Sequence, residues 1–299
     1  MHYYNSMQEL IGSTPLVKLH HIGAPAGVNV FVKLELSNPG GSMKDRVGQY
    51  MIADAEKRGL LQPGGTIVEG TAGNTGLGIA FAALNRGYHV IFVVPDKFSE
   101  EKQQLMQALG AQIVHTPRSK GMLGAEAKAK ELLATIPGAI SLQQFHNPAN
   151  PQAHYETTGL EIWEDTGGAV DYIVAGAGRG GTFSGILADP VGSTIGGGEH
   201  GDYNIEGIGN DFIADTLDMS LVDEVIKVND DEAFGGAREL ARKEGIIGGS
   251  STGAAFAAVK KLIEQKKIGN IVFIAPDRGE RYFSKGLWGF EKGGEAQAL

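Results

Sequence analysis

Short apolar runs that are rich in β-branched residues alternate along this chain with longer amphipathic stretches. The short apolar runs predict strands, and the amphipathic stretches predict helices. This alternation is typical of βαβ units, which build a mostly parallel sheet with helices on both faces. The strand candidate IFVV at 91–94 is apolar throughout, as expected when both faces of a sheet are covered. The sequence therefore predicts an α/β fold with a mostly parallel sheet.

The predicted strands cover residues 30–35, 66–69, 89–94, 112–115, 172–175, 224–228 and 270–275. The predicted helices cover residues 45–58, 75–85, 100–109, 125–133, 232–244 and 252–264. Two stretches that are rich in Gly, Asn and Pro interrupt the alternation. We interpret the first, 143–152, as a crossing between domains and the second, 192–209, as a long surface or lid segment.

Length and composition narrow the class of protein. The 299 residues suffice for about two domains at a prior of roughly 150 residues each. The formal net charge of −9 argues against nucleic-acid binding, and the lack of Cys excludes disulfides and a Cys nucleophile. The apolar runs are shorter than the ~20 residues that span a bilayer, and the first residues do not resemble a signal peptide. We therefore expect a cytoplasmic protein that binds neither nucleic acid nor membrane.

The first motif that can carry chemistry is NPGGSMKDR at 38–46, where a tight turn leads into a predicted helix. Ser42 and Asp45 form a pair like a capping box, which places Lys44 in the first helical turn. The positive end of the helix dipole there favours the neutral form of the amine. Schiff-base chemistry requires a neutral amine that can attack a carbonyl. The alternative interpretation is a solvated surface lysine beside a helix cap.

Two further loops follow predicted strands directly, at the edge where α/β sheets place ligands. TAGNTG at 71–76 opens a helix, so its backbone N–H groups and hydroxyls can bind an anion. In GAGRGGT at 176–182, consecutive glycines can close around a phosphate, and Thr182 adds a hydroxyl. The alternatives are a plain strand-to-helix turn for the first loop and a dinucleotide-binding loop for the second.

The remaining motifs are less specific. PDRGERY at 276–282 follows the last predicted strand and provides a further wall of the same cleft, with a solvated turn as the alternative. GGSSTG at 248–253 lacks the Gly-x-Ser-x-Gly spacing of a nucleophile elbow, which argues against a hydrolase. The His residues show no His-x-x-x-His spacing, so no metal site is predicted.

The order of these motifs resembles that of the cysteine synthase / cystathionine β-synthase family. The resemblance begins with LIGSTPL at 10–16 and continues to GERY at 279–282, so it covers nearly the whole chain. It implies a pyridoxal-phosphate enzyme with the tryptophan synthase β-like fold, fold type II, with two three-layer αβα domains. It further implies a large cofactor-binding domain, 1–45 with 151–299, a smaller mobile domain, 46–150, and a homodimer.

The resemblance also assigns roles to individual residues. Lys44 corresponds to the catalytic lysine that carries the cofactor, and Asn74 to the partner of the cofactor's ring hydroxyl. The other residues assigned to the cofactor are Gly178, Arg179, Gly180, Gly181, Thr182 and Arg278. The residues assigned to the amino-acid substrate are Thr71, Ala72, Gly73, Asn74, Thr75, Gln144 and Gly207, the last in a segment that helps to close the site.

The reaction that the resemblance implies is a β-replacement on O-acetyl-L-serine. Lys44 removes the α-proton, acetate leaves the β-carbon, and sulfide adds to give L-cysteine, while the cofactor acts as the electron sink. The alternative nucleophile is homocysteine, which would give cystathionine from O-acetylserine or serine. A non-catalytic sensor on the same fold is a further alternative, and a nicotinamide dehydrogenase is a remote one.

The chain departs from the family pattern at four places. Ala72 stands where many cysteine synthases have Ser, a form closer to bacterial cystathionine β-synthases that use O-acetylserine. Arg179 replaces a Ser or Thr of the phosphate loop. Arg278 lies near a usual small hydroxyl residue that faces the pyridine nitrogen, and a guanidinium cannot accept a proton from that nitrogen. A helix and the start of a strand that the family has between Ile186 and Leu187 are missing. This predicts an omitted segment or a deletion that would expose unpaired backbone.

Overall fold

The computed structural model describes residues 1, 3–71, 73–96, 99–178 and 185–289. The chain divides into two units that each make most of their contacts internally. The first unit comprises Met1–Ile11 and Asn38–His154, and the second comprises Gly12–Ser37 and Tyr155–Leu299. Each unit contains its own sheet.

The strands, in chain order, are β1 Leu16–Lys18, β2 Val28–Lys33, β3 Thr66–Gly70, β4 His89–Pro95, β5 Gln112–Thr116, β6 Tyr172–Gly176, β7 Gly185–Pro190, β8 Val222–Val228 and β9 Gly269–Ile274. The α-helices are α1 Lys44–Lys57, α2 Asn74–Ala83, α3 Glu100–Ala108, α4 Gly121–Thr135, α5 Ala149–Ala153, α6 Gly159–Asp165, α7 Asp230–Glu244 and α8 Ser250–Glu264. A π-helical turn, His154–Thr158, joins α5 to α6. Short 3-10 segments are Met7–Leu10, Glu35–Ser37, Arg118–Lys120, Met219–Leu221 and Gly279–Lys285.

The first unit has three layers around a parallel sheet in the order β3-β4-β5. Helices α1, α2 and α5 cover one face, where a buried cluster includes Met51, Ile79 and Phe92. Helix α4 covers the other face through Ala125 and Ala129. Because apolar side chains cover both faces, β4 can be apolar along nearly its whole length, as predicted.

The second unit is built on a six-stranded sheet in the order β1-β2-β9-β6-β7-β8. Only β1 pairs antiparallel, with β2, among the pairs that these strands form. Helices α7 and α8 cover one face through residues that include Leu240 and Phe256. On the other face, Ile162 of α6 packs in one cluster with Ile195 and Leu217 of an irregular segment. The predicted α/β fold with mostly parallel sheets is confirmed.

Three boundaries of the units differ from the predicted domain boundaries. Residues 1–11, 38–45 and 151–154 group with the first unit, whereas the sequence places 1–45 and 151–299 in the larger domain. Residues 38–45 belong to the first unit because α1 begins at Lys44 and packs on α2. The turn that precedes α1 therefore groups with these two helices. The mobility of the smaller domain stays a prediction. The predicted crossing at 143–152 overlaps α5, and the chain passes into the second unit after His154.

Strand β7 lies at the predicted gap after Ile186. It runs unbroken through that point and pairs with β6 on one side and with β8 on the other. The residues on both sides of the junction therefore form one strand, and the omitted segment or deletion stays a prediction. Only residues 177–184 separate β6 from β7, which is shorter than the dozen or more residues that usually join parallel neighbours.

Helices α1 and α2 cross in direct backbone contact. A Cβ atom built on Gly78 would lie 2.1 Å from the carbonyl oxygen of Lys44. A Cβ atom built on Gly48 would lie 2.3 Å from the carbonyl oxygen of Gly78. Both positions therefore require glycine, because a side chain would force the helices apart. The contact brings the first turn of α1 against α2, one turn after its first residue, Asn74.

We expect Gly78→Ala to lower the free energy of unfolding by about 3 kcal/mol, because the added methyl group meets backbone that cannot move without disturbing the core. Urea unfolding measures this change. The control is Gly235→Ala in α7, an exposed position with nothing within 4 Å of the added methyl group. This control should stabilise the chain by about 0.5–1 kcal/mol. Equal urea midpoints for Gly78→Ala and the wild type would contradict the contact.

Candidate active site

Lys44 is the first residue of α1, so the prediction that it lies in a first helical turn is confirmed. The predicted capping box is corrected in detail. The Ser42 hydroxyl accepts from the Lys44 amide at 3.2 Å, and the Asp45 carboxylate accepts from the Gly40 amide at 2.6 Å. The physical reason is that each side chain has another partner, since the Ser42 hydroxyl bonds the amide two residues ahead of it and the Asp45 carboxylate reaches back to Gly40. The two side chains instead fix the turn that precedes Lys44.

The predicted substrate loop lies at the N-terminus of α2. This helix is preceded by Gly73, which has no side chain that could cap it. Thr71 and Thr75 are each 1% exposed, and their hydroxyls have no hydrogen-bond partner within the described part of the chain. An unsatisfied buried hydroxyl costs about 1–3 kcal/mol, so such a pair indicates a ligand position. Together with the helix N-terminus, the hydroxyls suit an anion. Ala72 lies outside the described residues.

Gln144 lies at the same edge of the sheet as this loop. Ile67 of β3 and Ile140 form a parallel bridge, and Thr71 and Gln144 each follow their bridge residue by four positions. The Gln144 side chain is 3% exposed, and its Oε1 atom has no partner among the residues described. The structure thus brings three buried polar groups with unused hydrogen-bonding capacity to one edge of the first unit.

His154 is buried in the first unit, close to charged groups of α1. Burial lowers the pKa of His154 well below its ordinary value of 6.5, and the positive charges of Lys44 and Arg46 lower it further. The imidazole is therefore neutral at pH 7 and adds no positive charge beside Lys44. The sequence did not indicate this role, because the charges that surround His154 belong to a distant helix.

The predicted phosphate loop begins in the second unit, at the end of β6. A Cβ atom on the buried Gly178 would lie 2.7 Å from the carbonyl oxygen of Gly207, which is itself exposed. The Gly209 amide donates to the carbonyl of Ala177 at 2.8 Å, and the side-chain amide of Asn210 donates to the carbonyl of Gly178. The segment from Gly207 to Asn210 thus holds the start of the loop. The continuation of the loop lies outside the described residues, namely Arg179, Gly180, Gly181 and Thr182.

A network of hydrogen bonds holds the backbone at Asn210 in place. The hydroxyl of Ser193 accepts from the Asn210 amide at 3.2 Å, and the carbonyl of Ser193 accepts from Lys227 at 2.7 Å. Lys227 also pairs with the fully buried Asp189 at 2.6 Å. Sequence reasoning missed these residues, because each contact joins segments that are far apart in the chain.

Two charged residues of the last predicted loop, Asp277 and Arg278, lie in different surroundings. Asp277 is 1% exposed and accepts a hydrogen bond from the Tyr282 hydroxyl. Burial raises the pKa of Tyr282 well above its ordinary value, and the carboxylates of Asp277 and Glu206 raise it further, so the phenol stays protonated and donates. Arg278 is exposed, and its Nε atom donates to the carbonyl of Leu36 at 3.0 Å. The assignment of Arg278 to the cofactor stays a prediction.

We expect stability to fall as the pH drops below 6.5, because His154 takes up a proton in the unfolded chain but not in the folded one. Its lowered pKa contributes stability that is fully present above 6.5 and is lost on acidification. His154→Gln should therefore lose less stability between pH 7 and pH 5, by at most about 1 kcal/mol for each pH unit below 6.5. Urea unfolding from pH 8 to pH 5 measures this slope, and the difference at pH 8 reports the packing change alone. Parallel curves for the two proteins would contradict the expectation.

Comparisons with known proteins agree with this arrangement. The family model described as pyridoxal-phosphate dependent enzyme matches residues 7–189 and 188–277. The O-acetylserine dependent cystathionine beta-synthase of Bacillus subtilis is 47% identical over 295 residues, which cover 94% of this chain and 96% of that protein. A cysteine synthase of Staphylococcus aureus is 42% identical over 304 residues, which cover 96% of this chain and 98% of that protein. The crystal structure of an O-acetylserine dependent cystathionine beta-synthase from Helicobacter pylori has a TM-score of 0.91 at 42% identity, and it covers 96% of this chain and 100% of that chain. The chain therefore belongs to the family of pyridoxal-phosphate dependent enzymes.

Proposed function

We propose that this chain catalyses a β-replacement on O-acetyl-L-serine with sulfide, which forms L-cysteine and acetate. The observation that carries the proposal is the set of buried polar groups of Thr71, Thr75 and Gln144 at one edge of the first unit. The Thr hydroxyls and the helix N-terminus can donate to the carboxylate of an amino acid, and the Gln144 carboxamide can do so through its NH2 group, because its oxygen only accepts. The names of two relatives support the donor and the product, since one is named for O-acetylserine and one for cysteine.

The residues of each unit fit pyridoxal phosphate. In the first unit, Lys44 and Asn74 are the first residues of two helices in contact, so both lie at the positive ends of helix dipoles. In the second unit, the phosphate loop begins at Gly178, a position where the neighbouring backbone leaves no room for a Cβ atom. We assign Lys44 to the aldehyde of the cofactor, Asn74 to its ring hydroxyl, and Gly178 with 179–182 to its phosphate. When bound, the cofactor supplies the electron sink for the α-carbanion.

The remaining steps belong to the protein. Thr71, Thr75 and Gln144 bind the substrate carboxylate and thereby fix the α-carbon. Once the substrate amine has displaced Lys44 from the aldehyde, the free, neutral amine of Lys44 takes the α-proton, and acetate leaves with the electron pair of its bond to the β-carbon. Sulfide then adds to the β-carbon, and Lys44 returns the proton to the α-carbon. The neutral His154 leaves the amine without an added cation at its side. Gly207 is assigned to the segment that closes the site and excludes water.

Homocysteine is the second candidate for the nucleophile, and it would give cystathionine. The names of the Bacillus relative and of the Helicobacter structure favour it. A competition between equal concentrations of sulfide and homocysteine, with O-acetylserine as donor, separates the two by the mass of the product. Excess cysteine supports the first proposal, and excess cystathionine transfers the assignment to the second. Formation of neither product would leave the non-catalytic sensor as the remaining candidate.

We also propose a homodimer in the cytoplasm, with a mobile smaller domain at 46–150. Tyr155, Leu160 and Trp163 support a dimer, because they are 82%, 53% and 61% exposed along one helical segment, and apolar patches often mark interfaces. The lack of Cys fits a reducing compartment. Across the described ranges, no helix has the length and apolar character needed to cross a membrane. Light scattering of the purified protein tests the dimer.

We expect Lys44→Ala to abolish the visible absorption of the cofactor-loaded protein and to lower turnover of O-acetylserine by at least about 10³-fold, because the amine both holds the cofactor and moves the α-proton. Borohydride reduction followed by peptide mass analysis should locate the cofactor on Lys44 in the wild type. The matched control is Lys57→Ala at the exposed end of the same helix, which should leave both properties unchanged. Colour and turnover that survive in Lys44→Ala would refute the assignment.

A further inference from the structure

A buried glutamate connects the two parts of the proposed carboxylate site. Glu69 is the second-to-last residue of β3 and precedes Thr71 by two positions. Its side chain is 5% exposed. The proposed mechanism gives this residue no task, although a buried carboxylate is costly unless donors satisfy it. Its contacts show where those donors come from.

One oxygen of Glu69 accepts three hydrogen bonds from the segment that leads to Gln144. The donors are the Ser141 hydroxyl at 2.9 Å, the Leu142 amide, and the Gln143 amide at 3.0 Å. Hydrogen bonds to an ionised acceptor are roughly twice as strong as those between neutral groups. The carboxylate therefore fixes the backbone immediately before Gln144.

Glu69 acts at the point where this segment stops pairing with β3. Ile140 still pairs, because its amide donates to Thr66 at 2.9 Å and its carbonyl accepts from Val68 at 2.8 Å. Gln143 then adopts a φ of +55°, in the left-handed region that is unfavourable for a residue with a Cβ atom. Since the carboxylate binds the amide of this strained residue, it stabilises the turn that Gln144 needs.

Two asparagines hold the other side of the same turn. The Asn147 side chain donates to the carbonyl of Leu142 at 2.9 Å, and the Asn150 side chain donates to the carbonyl of Gln144 at 3.0 Å. The backbone from Leu142 to Gln144 is thus bound from both sides. The Oε1 atom of Gln144, by contrast, has no partner in the described part of the molecule.

We propose that Glu69 is a positioning residue for the amino-acid substrate. Its carboxylate fixes Gln144 relative to Thr71 and Thr75, so that all three side chains converge on one substrate carboxylate. Glu69 acts through the backbone, because its bound oxygen is already occupied by donors of the protein. This assignment depends on the proposed β-replacement function, since it gives that site its geometry.

Glu69→Gln tests the proposal, because it keeps the size of the side chain and removes the charge that the three donors share. We expect the KM for O-acetylserine to rise about tenfold, and this rise should exceed any fall in kcat. Amide hydrogen exchange in a peptide that covers 141–144 should become faster than in the wild type. Glu69→Asp, which keeps the charge, should recover part of the affinity. The matched control is Glu126→Gln on the exposed side of α4, which should behave as the wild type.

Wild-type KM and wild-type exchange in Glu69→Gln would overturn the proposal. If Glu69→Gln fails to fold, Ser141→Ala removes one donor and leaves the carboxylate in place, and it should raise KM about twofold; an unchanged KM would then overturn the proposal. A wild type that neither turns over O-acetylserine nor changes its cofactor spectrum with it refutes the proposed function instead. The exchange measurement does not depend on activity, so it still separates the two failures.

Discussion

The backbone contact between α1 and α2 sets the geometry on which the first unit's part of the candidate site depends. Gly48 and Gly78 let the two helices approach until main-chain atoms touch, and the carbonyl of Lys44 is one of those atoms. Because helix positions in such a contact cannot slide without a clash, the first turn of α1 has a fixed place relative to Asn74. Helix α1 begins at this contact and α2 begins one turn before it, so the positive ends of two dipoles lie near each other. That potential favours an anion and a neutral amine at the same time.

The side chains that we assign to the substrate carboxylate in the first unit are uncharged. Hydroxyls of Thr71 and Thr75 and the carboxamide of Gln144 are assigned to the carboxylate, where a lysine or arginine would have been the simplest partner for an anion. An added cation beside Lys44 is also avoided at His154, which burial keeps neutral. Neutral donors are less sensitive than ion pairs to salt, and they place no counter-charge that could hold the substrate carboxylate in the wrong place.

The parts of this arrangement that depend on local pattern were predictable from the sequence, and the parts that depend on distant contacts were not. The turn and cap residues of 38–46 put Lys44 in a first helical turn, and glycines after strands located two loops. Strand β1 escaped prediction because it has three residues and pairs only at the sheet edge, and β7 because it ends in Asp-Pro, which reads as a turn. Glu69 contacts Leu142, 73 positions away in the chain, and local sequence patterns do not predict such a contact.

Glu69 and Asn210 stabilise loops in the same way. This explains how the fold can keep buried polar groups without hydrogen-bond partners. Each binds the main chain of a loop from outside, one beside Gln144 and the other at Gly178. The side chains proposed to meet ligand are thereby left unused, which is unfavourable for the empty protein when they are buried. A loop held only by those side chains would rearrange to satisfy them. External anchors oppose this at Gln144, because moving its backbone toward new partners would first require breaking the hydrogen bonds that Glu69 and Asn150 make there. The fold therefore keeps these groups without partners, and they form their hydrogen bonds when the substrate binds.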